Sequence, residues 1–271
     1  MINLALTIGI SVIIGVLVLF IYQLKMLSNL RSTLMEERDI TKRSAEDRRH
    51  TLNTVVHEIK APMEAIVSLA DLIIEEEDPT EIQQMARLMQ KSSRRLVNTT
   101  NNVLTFSRLE QGNLPLAEHE ENLSILVQDI CDMLEPKIKA KNLHLVRSIA
   151  PDVVFRTDLA VIEIVLINLL TNAVKYTDEG EIKVRLVKTE EHIQMEVSDS
   201  GRGISDEERA KIFEPFYRSG NQDKFNRDGA GLGLYICKYY VELLGADLVL
   251  NSKLGLGSTF SVIIPTQRQQ A

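Results

Sequence analysis

Asn168-Leu169-Leu170-Thr171-Asn172-Ala173-Val174-Lys175-Tyr176 is the stretch on which the fold reading turns. It ends a strongly apolar run, residues 159–174, that reads as a helix. Asn168, Asn172 and Lys175 fall along one face of that helix. The other faces carry Ile, Leu and Val. A polar row on an otherwise apolar helix needs partners if it is buried. A hydrated magnesium ion and a triphosphate supply such partners, because both are charged and rich in oxygen.

Residues 181–187 and 192–199 alternate apolar and polar, as antiparallel strands do. Asp199-Ser200-Gly201-Arg202-Gly203 follows the second of them. Its glycines let the backbone approach a ligand closely, and the Asp199 carboxylate can accept a hydrogen bond from an exocyclic amine. Gly229-Ala230-Gly231-Leu232-Gly233-Leu234 opens a helix over residues 231–244, and a helix N-terminus favours a phosphate. Taken singly, any one of these glycine pairs also reads as a turn. Residues 247–251 and 258–264 read as two more strands. Upstream, residues 123–141 read as a helix and 143–149 as a strand. The result is an α/β sandwich of roughly 150 residues, a normal domain size.

A different pattern precedes this domain. Leu52, Val56, Ile59, Met63, Ile66, Ala70 and Ile73 are spaced alternately by four and three, the seam of a helix bundle. The acidic run at 75–78 and Pro79 end that helix. Ile82, Met85, Met89, Ser92, Leu96, Thr99, Val103 and Phe106 make a second seam. The two helices form a hairpin whose apolar stripes exceed what one hairpin buries; a dimeric four-helix bundle would cover them. His57 stands one residue past the seam position Val56, so it faces outward with Glu58 beside it. An exposed imidazole next to a carboxylate can act as a nucleophile; a solvated surface histidine fits the same local pattern. Pro62 inside the helix costs about 3 kcal/mol, and a kink one turn past a reactive residue would account for it.

Residues 1–24 carry no charged side chain, and 2–22 are almost wholly apolar. About 20 such residues span a bilayer core. A signal peptide would want a positive first segment, a shorter apolar core and a small-residue cleavage site, and none of these is present. Lys25, Arg31, Arg38, Lys42, Arg43, Arg48 and Arg49 follow the apolar run, which sets the rest of the chain on the cytoplasmic side. Cys131 and Cys237 belong to no CxxC pair or Cys/His cluster; both read as buried thiols. The net charge of −7 argues against direct nucleic-acid binding.

Residues 168–177 resemble the asparagine box of bacterial sensor histidine kinases. Residues 199–204 resemble their first glycine box, Phe213-Glu214-Pro215-Phe216-Tyr217-Arg218 their phenylalanine box, and 229–234 their second glycine box. Residues 255–260 resemble the closing glycine motif, His57-Glu58-Ile59-Lys60-Ala61-Pro62 the histidine box, and 106–112 the end of the dimerisation hairpin. The order and spacing are those of the family, from about residue 48 to 265.

The resemblance implies an α+β multidomain chain. A transmembrane helix (1–24) leads through a helical signal-transmission linker (25–47) to a dimerisation and phosphotransfer hairpin (48–112). A linker (113–121), a Bergerat-type ATP-binding α/β sandwich (122–266) and a short tail (267–271) follow. His57 would be the phosphoacceptor and Glu58 its proton acceptor. Asn172, supported by Asn168, would bind Mg2+; Lys175 would lie near the phosphates of ATP and Tyr176 near the adenine. Asp199 would read the adenine amine, with Gly201 and Gly203 shaping that pocket. Gly229, Gly231, Leu232 and Gly233 would hinge and line a lid, which the polar stretch 219–228 would form, and Thr259 would complete the nucleotide site. Arg218 is the candidate contact to the γ-phosphate; Lys224 and Arg227 read better as solvated loop charges.

The implied protein is a homodimer in the cell membrane, single-pass, with its catalytic part cytoplasmic and in contact with lipid. It would pass its phosphoryl group to an aspartate on the receiver domain of a separate response regulator. A membrane sensor partner, or the membrane helix itself, would bring the signal. The alternative is a pseudokinase that binds nucleotide and scaffolds a regulator. One departure stands out. Four residues after the histidine the family often carries Thr or Asn, linked to dephosphorylation of the regulator, whereas this chain has Ala61.

Overall fold

The computed structural model describes residues 53–112, 115–218 and 231–266. The membrane helix expected at 1–24, the segment 25–47, Gly229, the lid stretch 219–228 and the tail lie outside the described residues. Two long helices open the described chain, α1 (residues 53–75) and α2 (Pro79–Glu110). Asp78 caps α2, its carboxylate accepting the Thr80 N–H at 2.7 Å. Pro79 fills the first turn, where a missing N–H costs nothing. The two helices run antiparallel, so that Glu58 of α1 reaches Arg95 of α2. α1 continues through Pro62, which is buried. The seams are only half covered within one hairpin: Ile59, Ile66 and Ile73 are half-buried, whereas Val56 is 59% exposed and Met63 49%.

The rest is a two-layer sandwich. Its strands are β1 (His119–Asn122), β2 (His144–Ile149), β3 (Val154–Thr157), β4 (Glu181–Lys188), β5 (His192–Asp199), β6 (Asp247–Lys253) and β7 (Gly257–Pro265). Its helices are α3 (Leu123–Lys139), α4 (Leu159–Tyr176), the single turn α5 (Asp206–Arg209) and α6 (Gly233–Leu243). Five strands form one sheet in the order β2-β4-β5-β7-β6. β2 and β4 pair in parallel and the other neighbours antiparallel. Alternation decides which face is covered. Ile182, Val184 and Leu186 of β4 and Ile193, Met195 and Val197 of β5 are buried, while Lys183 and Arg185 between them are exposed. Each such aliphatic side chain contributes about 1.5–3 kcal/mol on burial.

α4 lies at the centre of this core. Val161, Ile162, Val165, Leu166, Leu169, Leu170, Ala173 and Val174 are all buried. Among the described residues it is the one helix long and apolar enough to cross a membrane, and its burial reflects its place under the sheet. Asp158 starts it by accepting the N–H groups of Ala160 and Val161 at 3.1 and 3.3 Å. The second oxygen of Asp158 accepts the Ala117 N–H at 2.8 Å, which ties the approach to β1 onto the core helix.

The sandwich departs from the sequence expectation at the turn α5 and at β1, which begins inside the stretch 113–121 expected to be a linker. β1 and β3 pair as a separate two-stranded sheet. β1 reads His119-Glu120-Glu121-Asn122 and has no apolar residue to alternate, so no periodicity marks it. The two strands at the close of the chain are longer than their apolar runs, because turn-facing residues join the ladder from Gly257 onward.

Candidate functional site

The second half of α4, the loop after β5, the turn joining β6 to β7 and the start of α6 meet at close quarters, and the ground they frame is the candidate nucleotide recess. Asn168 and Asn172 are half-buried on α4. The Asn168 amide donates to the Ile164 carbonyl at 2.9 Å. A Cβ at Gly233 would lie 2.9 Å from the Asn168 side-chain oxygen, so the glycine that starts α6 keeps that oxygen reachable. The helix stops at Thr177, whose N–H and hydroxyl both bond the Ala173 carbonyl. Lys141, from the end of α3, donates to the carbonyls of Val174 at 2.9 Å and Thr177 at 3.1 Å. A cation among the last carbonyls of a helix is favourable and fixes the end of α4 that bears Lys175 and Tyr176.

Asp199 closes β5 on the same sheet face as Val197 and Met195, toward the helices. Its Oδ1 accepts the Gly201 N–H at 2.9 Å. Burial pushes its carboxyl above the ordinary range, and the N–H groups of Gly201 and Ser258 offset part of that. A Cβ on Gly201 would sit 2.3 Å from the Tyr176 carbonyl, so this loop packs directly on the end of α4. Tyr176 is 40% exposed. The Lys175 ammonium and the Arg202 guanidinium both lie 4.9 Å from its ring centroid, a cation–π distance.

Three expected residues are placed differently from the reading above. Thr259 is paired with Ser198 and meets its hydroxyl at 2.8 Å. That is the opposite face of the sheet from Asp199, so Thr259 turns away from the recess. Its neighbour Ser258 pairs with Asp199 instead and is buried on the recess side. The Ser258 hydroxyl is buried there against the Ser252 hydroxyl at 2.9 Å; a period-two strand sends the Ser258 and Thr259 hydroxyls to opposite faces. Gly231, with φ of +72°, packs against Phe216 and Tyr217, and its carbonyl accepts the Phe216 N–H at 3.0 Å. It braces the phenylalanine box rather than opening onto the recess, and Leu232 is fully buried.

Arg218 points at the hairpin. Its Nη1 donates to Glu58 Oε1 at 2.5 Å, and Arg95 Nη2 stands 3.6 Å from Glu58 Oε2. The Glu58 side chain is only 14% exposed, while His57 beside it is exposed on α1. Aromatic rings make a second contact with the hairpin: Phe106 of α2 meets Phe216 edge-on at 5.5 Å and Tyr235 at 5.4 Å. The Tyr235 hydroxyl donates to Glu110 at 3.1 Å; burial and that carboxylate push its pKa up to about 12.

Lys141, Arg202, Arg95 and Ser258 were not singled out from sequence. Ser258 lies inside the closing glycine motif, but its parity is set by the register against β5 and leaves no signal in the sequence. The other three act across long separations in the chain.

The His Kinase A (phospho-acceptor) domain model matches residues 47–112, and the model for histidine kinase-, DNA gyrase B- and HSP90-like ATPases matches residues 157–268. The sensor histidine kinase RcsC of Escherichia coli is 30% identical over 238 residues, which is 87% of this chain and 25% of that protein. The sensor histidine kinase AruS of Pseudomonas aeruginosa is 35% identical over 217 residues, 77% of this chain and 22% of that one. The chain thus spans about a quarter of the length of these curated relatives. Among solved structures, the histidine kinase ThkA in complex with the response regulator protein TrrA superposes with a TM-score of 0.64 at 25% identity, over 82% of this chain and 63% of that one. An exposed histidine on a two-helix hairpin, followed by an ATPase sandwich and matched in that order by both domain models, decides the family: this chain belongs to the sensor histidine kinases of two-component signalling.

Proposed function

We propose that this chain binds ATP, phosphorylates itself on His57 and passes the phosphoryl group to an aspartate of a separate response regulator. The observation that carries the reading is the exposed His57, with Glu58 next to it, on a hairpin that the ATPase domain touches through Arg218. In the reaction the bond from the γ-phosphorus to the bridging oxygen of ADP breaks and a bond to an imidazole nitrogen forms. The attacking nitrogen is the one that carries no proton, and the proton on the other ring nitrogen leaves for Glu58. Little covalent catalysis is needed; positioning and charge neutralisation supply the acceleration. Lys175 and Arg218 are the cations for the phosphates, and Asp199 accepts the adenine amine in the recess shaped by Gly201 and Gly203.

Magnesium fits the same site. Asn168 and Asn172 offer amide oxygens, and among the described residues no group of three or more His, Cys, Asp or Glu could hold a metal by itself. A cation held there takes most of its ligands from phosphate and water, as magnesium does; when bound it would neutralise charge on the triphosphate.

The partners follow from the surfaces. Val56, Met63 and Val67 border a groove of about 510 Å3 along α1, and all three are exposed. A second copy of the hairpin would bury that face and complete a four-helix bundle. The family of the phosphoacceptor domain and the ThkA–TrrA complex support a receiver domain as the phosphoryl acceptor. The charge-free segment 1–24 and the cations after it support a single membrane helix with the kinase on the cytoplasmic side. Ala61 is exposed on α1 one turn beyond His57. A methyl group cannot orient a hydrolytic water, so dephosphorylation of the regulator should be weak.

The test is incubation with γ-labelled ATP and magnesium, beside a His57→Gln variant. Acid-labile, base-stable label on the native chain alone supports the reading. Nucleotide binding without label on either chain would favour a scaffold that binds ATP without phosphorylating. Label on both chains would show another acceptor residue.

A further inference from the structure

Glu58 stands between two guanidiniums from different parts of the chain. Arg218 belongs to the ATPase domain and holds Oε1 at 2.5 Å. Arg95 belongs to α2, the helix packed beside Glu58, and lies 3.6 Å from Oε2. That second oxygen is buried and accepts no hydrogen bond. The contact to Arg95 is therefore an ion pair with room to shorten, whereas the contact to Arg218 is already a full hydrogen bond. The side chain of Glu58 is 14% exposed, that of Arg218 27% and that of Arg95 29%, so water compensates the carboxylate poorly.

Arg218 has two claims on it. One is Glu58, made in the structure; the other is the terminal phosphate, on the functional reading above, on which this inference rests. One guanidinium cannot serve fully both a carboxylate on the hairpin and a phosphate in the recess. If Arg218 leaves for a triphosphate, Glu58 loses the one hydrogen bond it accepts among the described residues, in a site largely closed to water. A buried carboxylate without a partner is unfavourable, and the nearest cation on its own hairpin is Arg95.

We propose that Arg95 is a positioning residue for the proton-accepting carboxylate, and that ATP moves Glu58 from a clamp shared by Arg95 and Arg218 to Arg95 alone. In the nucleotide-free protein the clamp does two things. It keeps Glu58 neutralised and turned away from proton transfer, and it occupies the guanidinium that the terminal phosphate requires. Glu58 thereby competes with ATP for Arg218. Arg95, which takes no part in nucleotide binding, then keeps the released carboxylate on the hairpin beside His57. The two roles separate kinetically: Glu58 acts on affinity through Arg218, and Arg95 acts on turnover through Glu58.

The test uses the full chain, purified in detergent, with equilibrium ATP binding and autophosphorylation measured on the same preparations. Arg95→Gln should lower kcat about tenfold or more and leave the KM for ATP within about threefold. Arg95→Lys should recover part of the loss, since an ammonium restores the charge without the planar fork. That graded recovery distinguishes positioning from misfolding. Glu58→Gln should bind ATP about three- to tenfold more tightly, because the competitor for Arg218 is gone. In an Arg218→Gln background the same Glu58→Gln change should leave ATP affinity unaltered. A wild-type kcat in Arg95→Gln overturns the positioning role. Unchanged ATP affinity in Glu58→Gln, in a protein where Arg218→Gln does weaken binding, overturns the exchange. If Arg218→Gln binds ATP as the wild type does, the phosphate role of Arg218 itself is wrong, and the exchange falls with it for that separate reason.

Discussion

Gly203→Ala tests whether the loop after β5 and the end of β6 form a single wall of the nucleotide recess. Gly203 has φ of +68°. An ideal Cβ there would lie 2.0 Å from the Lys253 carbonyl oxygen, 2.7 Å from its carbon and 3.1 Å from the Leu254 Cα. All three are backbone atoms, so no side-chain rotation relieves them. Gly245 supplies the control: its φ is +66° and nothing lies within 4 Å of its Cβ position. The two alanine variants share the backbone strain and differ in the collision. Left-handed strain costs about 1–2 kcal/mol, and a stiffer unfolded chain returns about 0.4–1 kcal/mol. Gly245→Ala should thus cost roughly 0–1.5 kcal/mol by the sum of those two effects. In Gly203→Ala the last residues of β6 must also retreat by roughly 1 Å to reach contact distance, which adds about 1–3 kcal/mol. At about 2–4 °C per kcal/mol for a domain of this size, the summed cost of about 1–4.5 kcal/mol should lower the melting temperature of Gly203→Ala by about 2–18 °C, and Gly245→Ala should stay about 1–3 kcal/mol closer to the native chain. Calorimetry with and without ATP reads both effects, because displacing Lys253 and Leu254 also disturbs the pocket beside Asp199. ATP should raise the melting temperature of Gly245→Ala as it does for the native chain, and of Gly203→Ala far less. Two variants that melt together and respond equally to ATP would refute the single wall.

Asp199→Asn should stabilise the nucleotide-free protein and weaken ATP binding. Burial raises the Asp199 pKa above its ordinary value of 3.8, so the folded state disfavours the charge. That cost is fully present above the folded pKa and vanishes as the pH falls below 3.8. The gain in melting temperature should therefore appear at neutral pH and disappear in acid, while ATP affinity falls about 10- to 100-fold from loss of a charge-assisted hydrogen bond. Cys131 and Cys237 are free and buried; burial lifts the first to about 11 and the second further. Alkylation followed by mass spectrometry should leave both unmodified in the native chain and label both after unfolding; rapid native labelling would contradict the packing of α3 and α6. Ala61→Thr should increase release of phosphate from a phosphorylated regulator, and equal release by the native chain and the variant would remove the reason given for weak phosphatase activity.

Much of this architecture was legible in the sequence because its signals are local. The apolar run of α4 and the alternation in β4 and β5 give the sandwich its layers. The acidic turn before Pro79 gives the hairpin its break. The recess was legible through glycines: Gly201 and Gly233 are small because the Tyr176 carbonyl and the Asn168 oxygen stand where their side chains would be. What escaped has a common physical cause. Lys141 caps α4 from 33 residues away in sequence, and Arg218 reaches Glu58 across 160. A contact between distant segments leaves no periodicity in either of them. The choice between Ser258 and Thr259 fails for another reason: a strand's parity depends on its register against β5, and a shift of one residue exchanges the faces.

The contact between hairpin and ATPase domain is made by residues of the nucleotide motifs themselves. Phe216 lies in the phenylalanine box, and Tyr235 follows directly on the second glycine box. Phe216 holds a left-handed backbone, φ of +64°, a conformation that costs a bulky residue about 1–2 kcal/mol. Two contacts hold it there: the bond from its N–H to the Gly231 carbonyl and the edge of Phe106. Gly231 leads straight into α6, whose first residue packs on Asn168. The segment that closes one side of the nucleotide recess is thus bonded to the segment that grips α2, with Arg218 two residues further on. A shift of Gly231 on nucleotide binding cannot leave Phe216 in place, because the strained backbone depends on that bond, and a shift of Phe216 carries Arg218 with it. On the exchange proposed above, this short stretch of backbone is what would couple occupancy of the recess to the hold on Glu58.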